Sequence, residues 1–269
     1  MADTFKLELL DVTKEFPSKG KKVTALNNVT MQIPDHKFIS IIGPSGCGKS
    51  TLFNIISGLD QPSFGQLVID GEKVSGTSGL VGYMLQKDLL LPWRTILDNV
   101  ILGMEIIGVP KKEAKAQAIP LLEKYGLKGF EHSYPSHLSG GMRQRAALLR
   151  TVLYNRDVIL LDEPFGALDA QTRSNMQEWL LDLWDDFQKT ILFITHDIDE
   201  SIYLSDEVYI MTARPGTVKH RLKIDLPRPR KPNIITSKRF IELKDEALTL
   251  LSEEVFKSQK MELIQKAVQ

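Results

Sequence analysis

The sequence contains a single cysteine, has no excess of either charge sign, and lacks any long apolar run. One cysteine, Cys47, cannot form an internal disulfide, which predicts a reducing, cytosolic compartment. Lysine plus arginine and aspartate plus glutamate number 34 each, so the basic excess typical of nucleic-acid-binding proteins is missing. No apolar run approaches the ~20 residues that a membrane-spanning helix needs, and residues 1–10 lack the pattern of a signal peptide. Any work at a membrane would therefore require a partner.

What the sequence does contain, first of all, is a stretch that fits the phosphate-binding loop pattern G-x-x-x-x-G-K-[ST]. A strand-like apolar run at 38–42 precedes it and a helix-like run at 51–57 follows, which argues against a glycine turn with a chance lysine. Glycine backbone N–H groups and the helix start would surround a phosphate. Lys49 would reach the β- and γ-phosphates, and the Ser50 hydroxyl would bind Mg²⁺. The candidate nucleotide-binding residues of this loop are Gly43, Pro44, Ser45, Gly46, Cys47, Gly48, Lys49, Ser50 and Thr51.

Two other apolar runs end in polar side chains. The run at 158–161 ends at Asp162 and Glu163, and an all-apolar strand is typical of the buried centre of a parallel sheet. Asp162 is placed to hold Mg²⁺, and Glu163 is a candidate general base on the attacking water. The alternative, an acidic helix cap, is disfavoured because a phosphate loop is also present. A similar run ends at His196, which could contact the γ-phosphate or be structural.

A second candidate anion site is formed by Ser139, Gly140 and Gly141, where a hydroxyl and two flexible amides precede a helix-like run. The alternative is a glycine-rich helix cap without a ligand. Because the first loop already surrounds one nucleotide, further donors to the same γ-phosphate are most simply supplied by another subunit. The sequence thus predicts a head-to-tail pair with nucleotide at the interface, closed by ATP and opened by hydrolysis.

Three features stay open on the residues alone. Phe16 would either stack on adenine or belong to the core, and core is the commoner position for a ring. Gln86 ends a strand, where it would either contact a ligand or lie at the surface. The apolar segment Leu89–Arg94 is either a packed loop or a contact surface for a partner helix.

The remaining pattern predicts further elements by periodicity and turn residues. The predicted strands are Lys6–Phe16, Val23–Leu26 and Val29–Ile33, and the predicted helices are Lys111–Tyr125, interrupted at Pro120, and Ser237–Ala267. Pro227–Pro232 is interpreted as a linker whose positive charge is solvated. Its following helix carries a predicted apolar stripe of Leu243, Ala247, Leu250 and Phe256.

Taken together, the motifs resemble the ATPase subunit of an ATP-binding cassette (ABC) transporter over about residues 7–224. The phosphate loop, Gln86, the signature Leu138–Gly141, the Asp162–Glu163 pair, Leu168-Asp169 and His196 occur in the family's order. The resemblance implies an α/β P-loop NTPase fold with a RecA-like core, an N-terminal antiparallel β subdomain and an α-helical signature subdomain.

The resemblance also implies roles for single residues. Phe16 becomes the aromatic that stacks on adenine, and Gln86 senses Mg²⁺ and the γ-phosphate. Asp169 crosses to the partner's site, and His196 acts as a switch at the γ-phosphate. The cofactors implied are ATP and Mg²⁺, with Ser50, Gln86 and Asp162 as metal-site residues.

The sequence departs from the family pattern at two positions. Met142 stands where the signature usually has glutamine, and Phe16 stands where tyrosine is commonest. Neither change removes a required group. Four short motifs resemble those of bacterial nitrate, sulfonate, taurine and bicarbonate importer subunits: Leu90–Thr95, Asp98–Val100, Ala213–Gly216 and Asp225–Arg228. These motifs are expected to touch the membrane partner or the surface rather than the solute.

These observations predict an ATPase domain at 1–226, with the helical subdomain at about 87–156, and a C-terminal linker and helical appendage at 227–269. The predicted protein energises an importer from the cytoplasmic face of the inner membrane. Its expected partners are transmembrane permease subunits, a second ATPase subunit, identical or different, and, indirectly, a solute-binding protein. Alternatives are an exporter ATPase, a soluble cassette protein acting on ribosomes or DNA, and a non-hydrolysing scaffold, which the Asp162–Glu163 pair disfavours.

Overall fold

Most of the predicted strands and helices are present in the structure, a computed structural model. It describes residues 5–18, 20–74, 76 and 79–267. Within these residues the strands are β1 (Phe5–Ser18), β2 (Lys21–Pro34), β3 (Phe38–Ile42), β4 (Phe64–Ile69), β5 (Glu72–Val74), β6 (Gly82–Met84), β7 (Val158–Asp162), β8 (Thr190–Ile194), β9 (Glu207–Met211) and β10 (Val218–Lys223). The helices are α1 (Lys49–Ile56), α2 (Ile96–Val100), α3 (Leu102–Ile106), α4 (Lys111–Lys124), α5 (Gly140–Leu153), α6 (Ala170–Phe187), α7 (Ile198–Leu204) and α8 (Lys238–Ala267).

The chain folds into two units, and the first is built from Met1–Leu80 and Thr190–Gln269. It holds an antiparallel sheet in the order β2-β1-β4-β5 and a run of strands in the order β10-β9-β3-β8. Strand β3 lies between β8 and β9 and is parallel to both, and all five of its residues are buried. That burial on both faces explains why its sequence is a continuous apolar run rather than an alternating one.

The second unit, Val81–Lys189, joins the parallel strands β6 and β7 to the helices α2–α6. Helix α5 packs against α2, α3, α4 and α6, so it is the central helix of this unit. Its apolar positions are almost wholly buried, including Ala146, Ala147, Leu148 and Leu149. None of the helices in the described part of the chain is long and apolar enough to cross a membrane.

The structure corrects two boundary predictions. The two early strands are one, because β2 runs unbroken through Asn28, whose φ of 46° marks a bulge. The Thr13 hydroxyl compensates for this irregularity by accepting the Asn28 backbone N–H and donating to its side chain. Helix α4 likewise continues through Pro120. Pro120 is exposed, so the backbone carbonyl it leaves unpaired can bind water.

The positive charge of Pro227–Pro232 is only partly solvated, contrary to the sequence-based interpretation, because Lys231 is exposed whereas Arg228 and Arg230 have protein partners. Arg230 is only 6% exposed, and its Nη1 donates to the carbonyl oxygens of Ile202, Tyr203 and Ser205 at 3.0, 3.0 and 2.7 Å. Arg228 donates to the Leu204 carbonyl and pairs with Asp206. Burial lowers the pKa of Arg230 to about 10, which still leaves it charged at neutral pH. Two arginines therefore satisfy the carbonyls at the end of α7, where a cation also favours the helix dipole.

The apolar stripe of the last helix is only partly buried. Leu243 and Ala247 are fully buried, whereas Phe256 is 68% exposed and was wrongly assigned to the packed face. The buried face instead continues to Glu254, a carboxylate that is 2% exposed. A charged residue in this position needs partners, and the Ala213 N–H, Lys219 and Lys257 supply them.

We expect Arg230→Ala to lower the free energy of unfolding by about 3 kcal/mol, because several buried carbonyls lose a charged donor at once. Urea denaturation of the full chain measures the effect. The neighbouring exposed Lys231→Ala is the control, with an expected change below about 0.5 kcal/mol. Equal stability of the two variants would show that Arg230 does not hold the end of α7.

Candidate functional site

The phosphate loop connects β3 to α1 in the first unit, as its sequence context predicted. Gly46 and Gly48 have φ values of 74° and 106°, a backbone region that favours glycine. A Cβ added at Gly46 would meet nothing within 4 Å, so the loop faces open space there. Helix α1 begins directly after Gly48, which directs the unpaired N–H groups of its first turn toward the loop. This backbone suits an anion such as a phosphate group.

Lys49 is the positive group of the loop. It is 9% exposed, and its Nζ donates to the carbonyl oxygens of Gly43 at 2.8 Å and Pro44 at 3.1 Å. The ammonium is thus held at the loop by the carbonyls of the loop itself. Ser50, the next residue, is exposed in the first turn of α1, where its hydroxyl is accessible to a metal ion or phosphate. The backbone N–H groups, the Lys49 ammonium and the Ser50 hydroxyl together fit a nucleoside triphosphate with its metal ion.

Cys47 lies inside the loop and is 1% exposed. Burial raises the pKa of its thiol, although the charge of Lys49, whose Nζ lies 3.8 Å from Sγ, opposes the shift. A protonated, buried thiol is a poor nucleophile. Cys47 therefore acts in packing rather than in covalent chemistry.

Phe16 and His196 also belong to the first unit. Phe16 on β1 is half-buried rather than part of the core, and Lys14 Nζ lies 5.0 Å from its ring centroid. The preference for a core position, drawn from the residue type alone, was wrong. His196 is exposed between the end of β8 and Asp197, whose side chain caps α7 by accepting the Glu200 N–H. Both rings are accessible to a ligand.

The second unit brings two predicted catalytic residues into contact. Gln86 Nε2 donates to Glu163 Oε2 at 3.1 Å. Glu163 has a φ of 46°, which is unusual for a residue other than glycine and indicates a constrained backbone after β7. The predicted general base is therefore oriented by the amide that the sequence left undecided between ligand contact and surface.

Asp162, the last residue of β7, is 8% exposed. The Tyr83 hydroxyl donates to its Oδ2 at 3.5 Å, a long hydrogen bond. Burial and the nearby carboxylate together raise the pKa of Tyr83, which keeps the phenol protonated as a donor. Sequence reasoning missed Tyr83, because a tyrosine in an apolar strand carries no signal of its own.

The candidate signature segment begins helix α5. Ser139 is the N-cap, and its Oγ accepts the Met142 N–H at 3.3 Å. A Cβ at Gly141 would lie 2.9 Å from Thr172 Cγ2, so glycine allows α5 to approach the start of α6. Asp169 caps α6 by accepting the Thr172 N–H at 3.0 Å, and hydrogen bonds with the Thr172 side chain and backbone lower the pKa of Asp169. Ser139 and Asp169 cap helices and are also exposed. A capping role is therefore compatible with a role in binding a ligand.

Sequence reasoning also missed two arginines of α5. Arg143 Nε pairs with Asp88 Oδ2 at 3.2 Å, and Arg150 donates to the carbonyl oxygens of Asp88 at 2.6 Å and Leu89 at 2.7 Å. The seven-residue spacing places both arginines on one side of the helix. They join the signature helix to the segment that follows Gln86. A cavity of about 450 Å³ is lined by Arg143 together with Gln86, Gly140 and Leu168.

No cluster of three or more His, Cys, Asp or Glu side chains able to hold a metal is present among the residues the structure describes. Mg²⁺ commonly keeps several waters and uses one or two protein oxygens together with substrate phosphates. In the first unit, the exposed Ser50 hydroxyl is an oxygen of the kind that this mode of binding uses. In the second unit, the side-chain oxygens of Gln86 and Asp162 are of the same kind.

The phosphate loop and the parallel strand that carries it define a P-loop nucleotide-binding protein. Residues 26–166 match the sequence pattern of a protein family described as ABC transporter. The chain therefore belongs to the ABC transporter family.

Relatives match over nearly their full length. An uncharacterised ABC transporter ATP-binding protein of Methanocaldococcus jannaschii is 46% identical, covering 95% of this chain and 94% of the relative. The aliphatic sulfonates import ATP-binding protein of Bacillus cereus is 43% identical over 88% of this chain and 92% of its own. The nitrate import ATP-binding protein of Synechocystis is 40% identical, with coverages of 91% and 94%. The resemblance to sulfonate and nitrate importer subunits is confirmed.

A solved dimeric structure of a bacterial ABC transporter cassette superposes with a TM-score of 0.72 at 32% identity, covering 82% of this chain and all of that one. The same cassette is known as a dimer in a post-hydrolysis state with ADP and phosphate. The predicted α/β P-loop fold with its antiparallel β subdomain and helices is confirmed.

Because Cys47 is the only cysteine, thiol labelling reports on the loop directly. We expect an aromatic disulfide reagent to react with the native chain more than about tenfold slower than with the urea-unfolded chain, since the thiol is buried and protonated. The control variant carries Cys47→Ser with Ser45→Cys, which moves the thiol to an exposed position of the same loop. Rapid labelling of native Cys47 would contradict the described packing.

Proposed function

We propose that the chain is the ATP-hydrolysing subunit of an importer for a small anion such as nitrate or a sulfonate. The observation that carries the proposal is the phosphate loop, in which a buried lysine, two glycines of positive φ and a helix start surround one anion-binding position. The names of the relatives support the importer class and the type of solute.

In this proposal the first unit binds the nucleotide. Phe16 stacks on adenine, the backbone of Gly43–Thr51 surrounds the β-phosphate, and Lys49 exchanges its carbonyl partners for phosphate oxygens. Mg²⁺, when bound, neutralises phosphate charge. Ser50, Gln86 and Asp162 are the residues that would hold it.

Hydrolysis is assigned to Glu163. Its carboxylate accepts a proton from the attacking water as the oxygen bonds to the γ-phosphorus and the bond to the β-phosphate oxygen breaks. The hydrogen bond from Gln86 supports this assignment, because it orients the carboxylate. His196 is proposed to contact the γ-phosphate from its exposed position after β8.

A second ATPase subunit is proposed to complete the site head-to-tail, as in the dimeric cassette that this chain resembles. Ser139, Gly140 and Gly141 would donate to the γ-phosphate bound by the partner, and Asp169 would reach across the interface. The exposed positions of Ser139 and Asp169 support these roles. Closure with ATP and opening after hydrolysis would then follow from the gain and loss of γ-phosphate contacts.

The apolar segment Leu89–Arg94 is proposed as the contact with a transmembrane permease subunit. Trp93 and Leu89 are 71% and 50% exposed, although the segment itself is rigidly held. Buried Asn99 accepts the Leu91 N–H at 2.7 Å and donates to the carbonyls of Leu91, Arg94 and Thr95. Large exposed side chains on a fixed loop are typical of a docking surface.

We also propose that the protein acts at the cytoplasmic face of the inner membrane, with a solute-binding protein acting through the permease and no nucleic-acid partner. We further propose the domain division predicted above: an ATPase domain at 1–226 with its helical subdomain at about 87–156, followed by the appendage 227–269. Co-purification with a permease from membranes tests the transport assignment.

Lys49→Ala is expected to abolish tight ATP binding, because the loop loses its one buried cation next to the phosphates. Isothermal calorimetry with Mg-ATP measures the affinity. Lys73→Ala, an exposed lysine on β5, serves as the control and should bind as the wild type does. Unchanged affinity of Lys49→Ala would refute the proposed nucleotide site.

Glu163→Gln is expected to retain ATP binding while hydrolysis falls by about 10²–10⁴-fold, since the water loses its proton acceptor. Size-exclusion chromatography with Mg-ATP should then show an accumulated dimer. Glu178→Gln, an exposed carboxylate on α6, is the control for loss of a charge. Wild-type turnover by Glu163→Gln would end the assignment of Glu163 as the base.

A further inference from the structure

We propose that the turn Ala213–Gly216 and helix α8 position the phosphate loop, with Gly216 and Glu254 as the positioning residues. The inference rests on the proposed function of that loop as the ATP site. The sequence suggested that this turn lies at the surface or on a membrane partner. Arg214 and Pro215 are indeed exposed, but Ala213 and Gly216 are buried inside the first unit.

Gly216 approaches the backbone of the phosphate loop closely. A Cβ added there would lie 1.9 Å from the carbonyl oxygen of Cys47, a contact that no real side chain makes. The Gly216 N–H donates to the Ala25 carbonyl at 2.9 Å, and its own carbonyl accepts the Asn27 N–H at 2.9 Å. The glycine is therefore fixed by β2 on one side while it supports Cys47 on the other.

The neighbouring contacts extend this support across the loop. A Cβ at Gly43 would lie 3.1 Å from Met211 Cβ, so the first residue of the loop packs on the last residue of β9. Only Thr212 separates Met211 from the turn. A shift of the turn would thus move both the Gly43 contact and the Cys47 contact. Gly43 is also the residue whose carbonyl accepts Lys49 Nζ.

Helix α8 holds the other end of the turn through Glu254. Its Oε2 accepts the buried Ala213 N–H at 3.0 Å. Its Oε1 lies 2.7 Å from Lys257 Nζ and 3.0 Å from Lys219 Nζ. Lys219, on β10, also donates to the Leu250 carbonyl of α8 at 2.9 Å. One buried carboxylate therefore ties α8, β10 and the turn together.

The carboxylate is ionised at every physiological pH. Burial by itself raises the pKa of Glu254, but the hydrogen bonds from Lys257, Ala213 and Lys219 outweigh it and bring the pKa to about 2. An ionised acceptor makes a stronger hydrogen bond to a backbone N–H than a neutral one. The turn is thus anchored by a charge that stays present, rather than by a group that titrates.

Because neither positioning residue touches the reacting atoms, loss of the anchor should weaken ATP binding and leave the chemical step alone. We expect Glu254→Ala and Gly216→Ala each to raise the KM for ATP and the calorimetric Kd about tenfold, with kcat at saturating ATP within about twofold of wild type. Gly216 does not have a positive φ, so the effect of alanine there would come from the contact with Cys47.

Two matched controls isolate the anchor. Glu253→Ala removes the adjacent carboxylate, which pairs with Lys219 but is 60% exposed, and Arg214→Ala removes an exposed side chain of the same turn. Both should bind ATP as wild type does. Glu254→Gln, which keeps an acceptor for the Ala213 N–H but loses the charge, should restore only part of the affinity lost in Glu254→Ala.

The outcomes separate this inference from the proposed function. If the wild-type chain does not bind ATP, the proposed function fails. If it binds and the folded Glu254→Ala and Gly216→Ala variants bind equally well, the positioning role is overturned. If Glu254→Ala cannot be recovered folded, ATP binding of Glu254→Asp is measured instead, because aspartate keeps the charge on a shorter side chain. Wild-type affinity in Glu254→Asp would then overturn the positioning role. An equal fall in kcat and in kcat/KM would also overturn the proposal.

Discussion

A buried ammonium held at the start of a helix is the constraint on which the rest of this protein depends. Lys49 lies among the carbonyls of its own loop, with Nζ 2.8 Å from Gly43 O, beside the unpaired N–H groups of α1. Positive charge and aligned donors in so small a volume favour an anion. The apolar strand β3, buried on both faces, fixes where the loop begins.

The loop is held by structure on more than one side. Strand β2 lines one side through Leu26, since a Cβ at Gly48 would lie 2.6 Å from Leu26 Cδ2. The turn after β9 lines another through Gly216. A preorganised anion site needs such support, because donors that must be reordered on binding lose part of their favourable free energy. Helix α8 thereby becomes part of the architecture of the site through Glu254.

Much of the fold could be predicted because long apolar runs have few structural alternatives. The runs before Gly43 and Asp162 could only be buried strands, and the residues that follow them were correctly placed at strand ends. Predictions failed where one residue was taken to decide a local outcome. Pro120 did not break α4, because it lies on the exposed side of the helix. Arg230 was not solvated, because carbonyl groups about 25 residues earlier in the chain accept its hydrogen bonds.

By itself, the sequence determined the chemistry: a glycine-rich loop with its lysine, two carboxylates after a buried strand, and the order of motifs that defines an ABC transporter ATPase. Those features are local, since each depends on neighbouring residues and on hydrogen-bonding groups of the backbone. Only the tertiary structure decided that Gln86 contacts Glu163 and that Arg143 and Arg150 both bond to Asp88. It also decided that Glu254 anchors a turn next to the phosphate loop. These contacts join residues that are 41 to 77 positions apart in the chain, and no periodicity within a single segment records them.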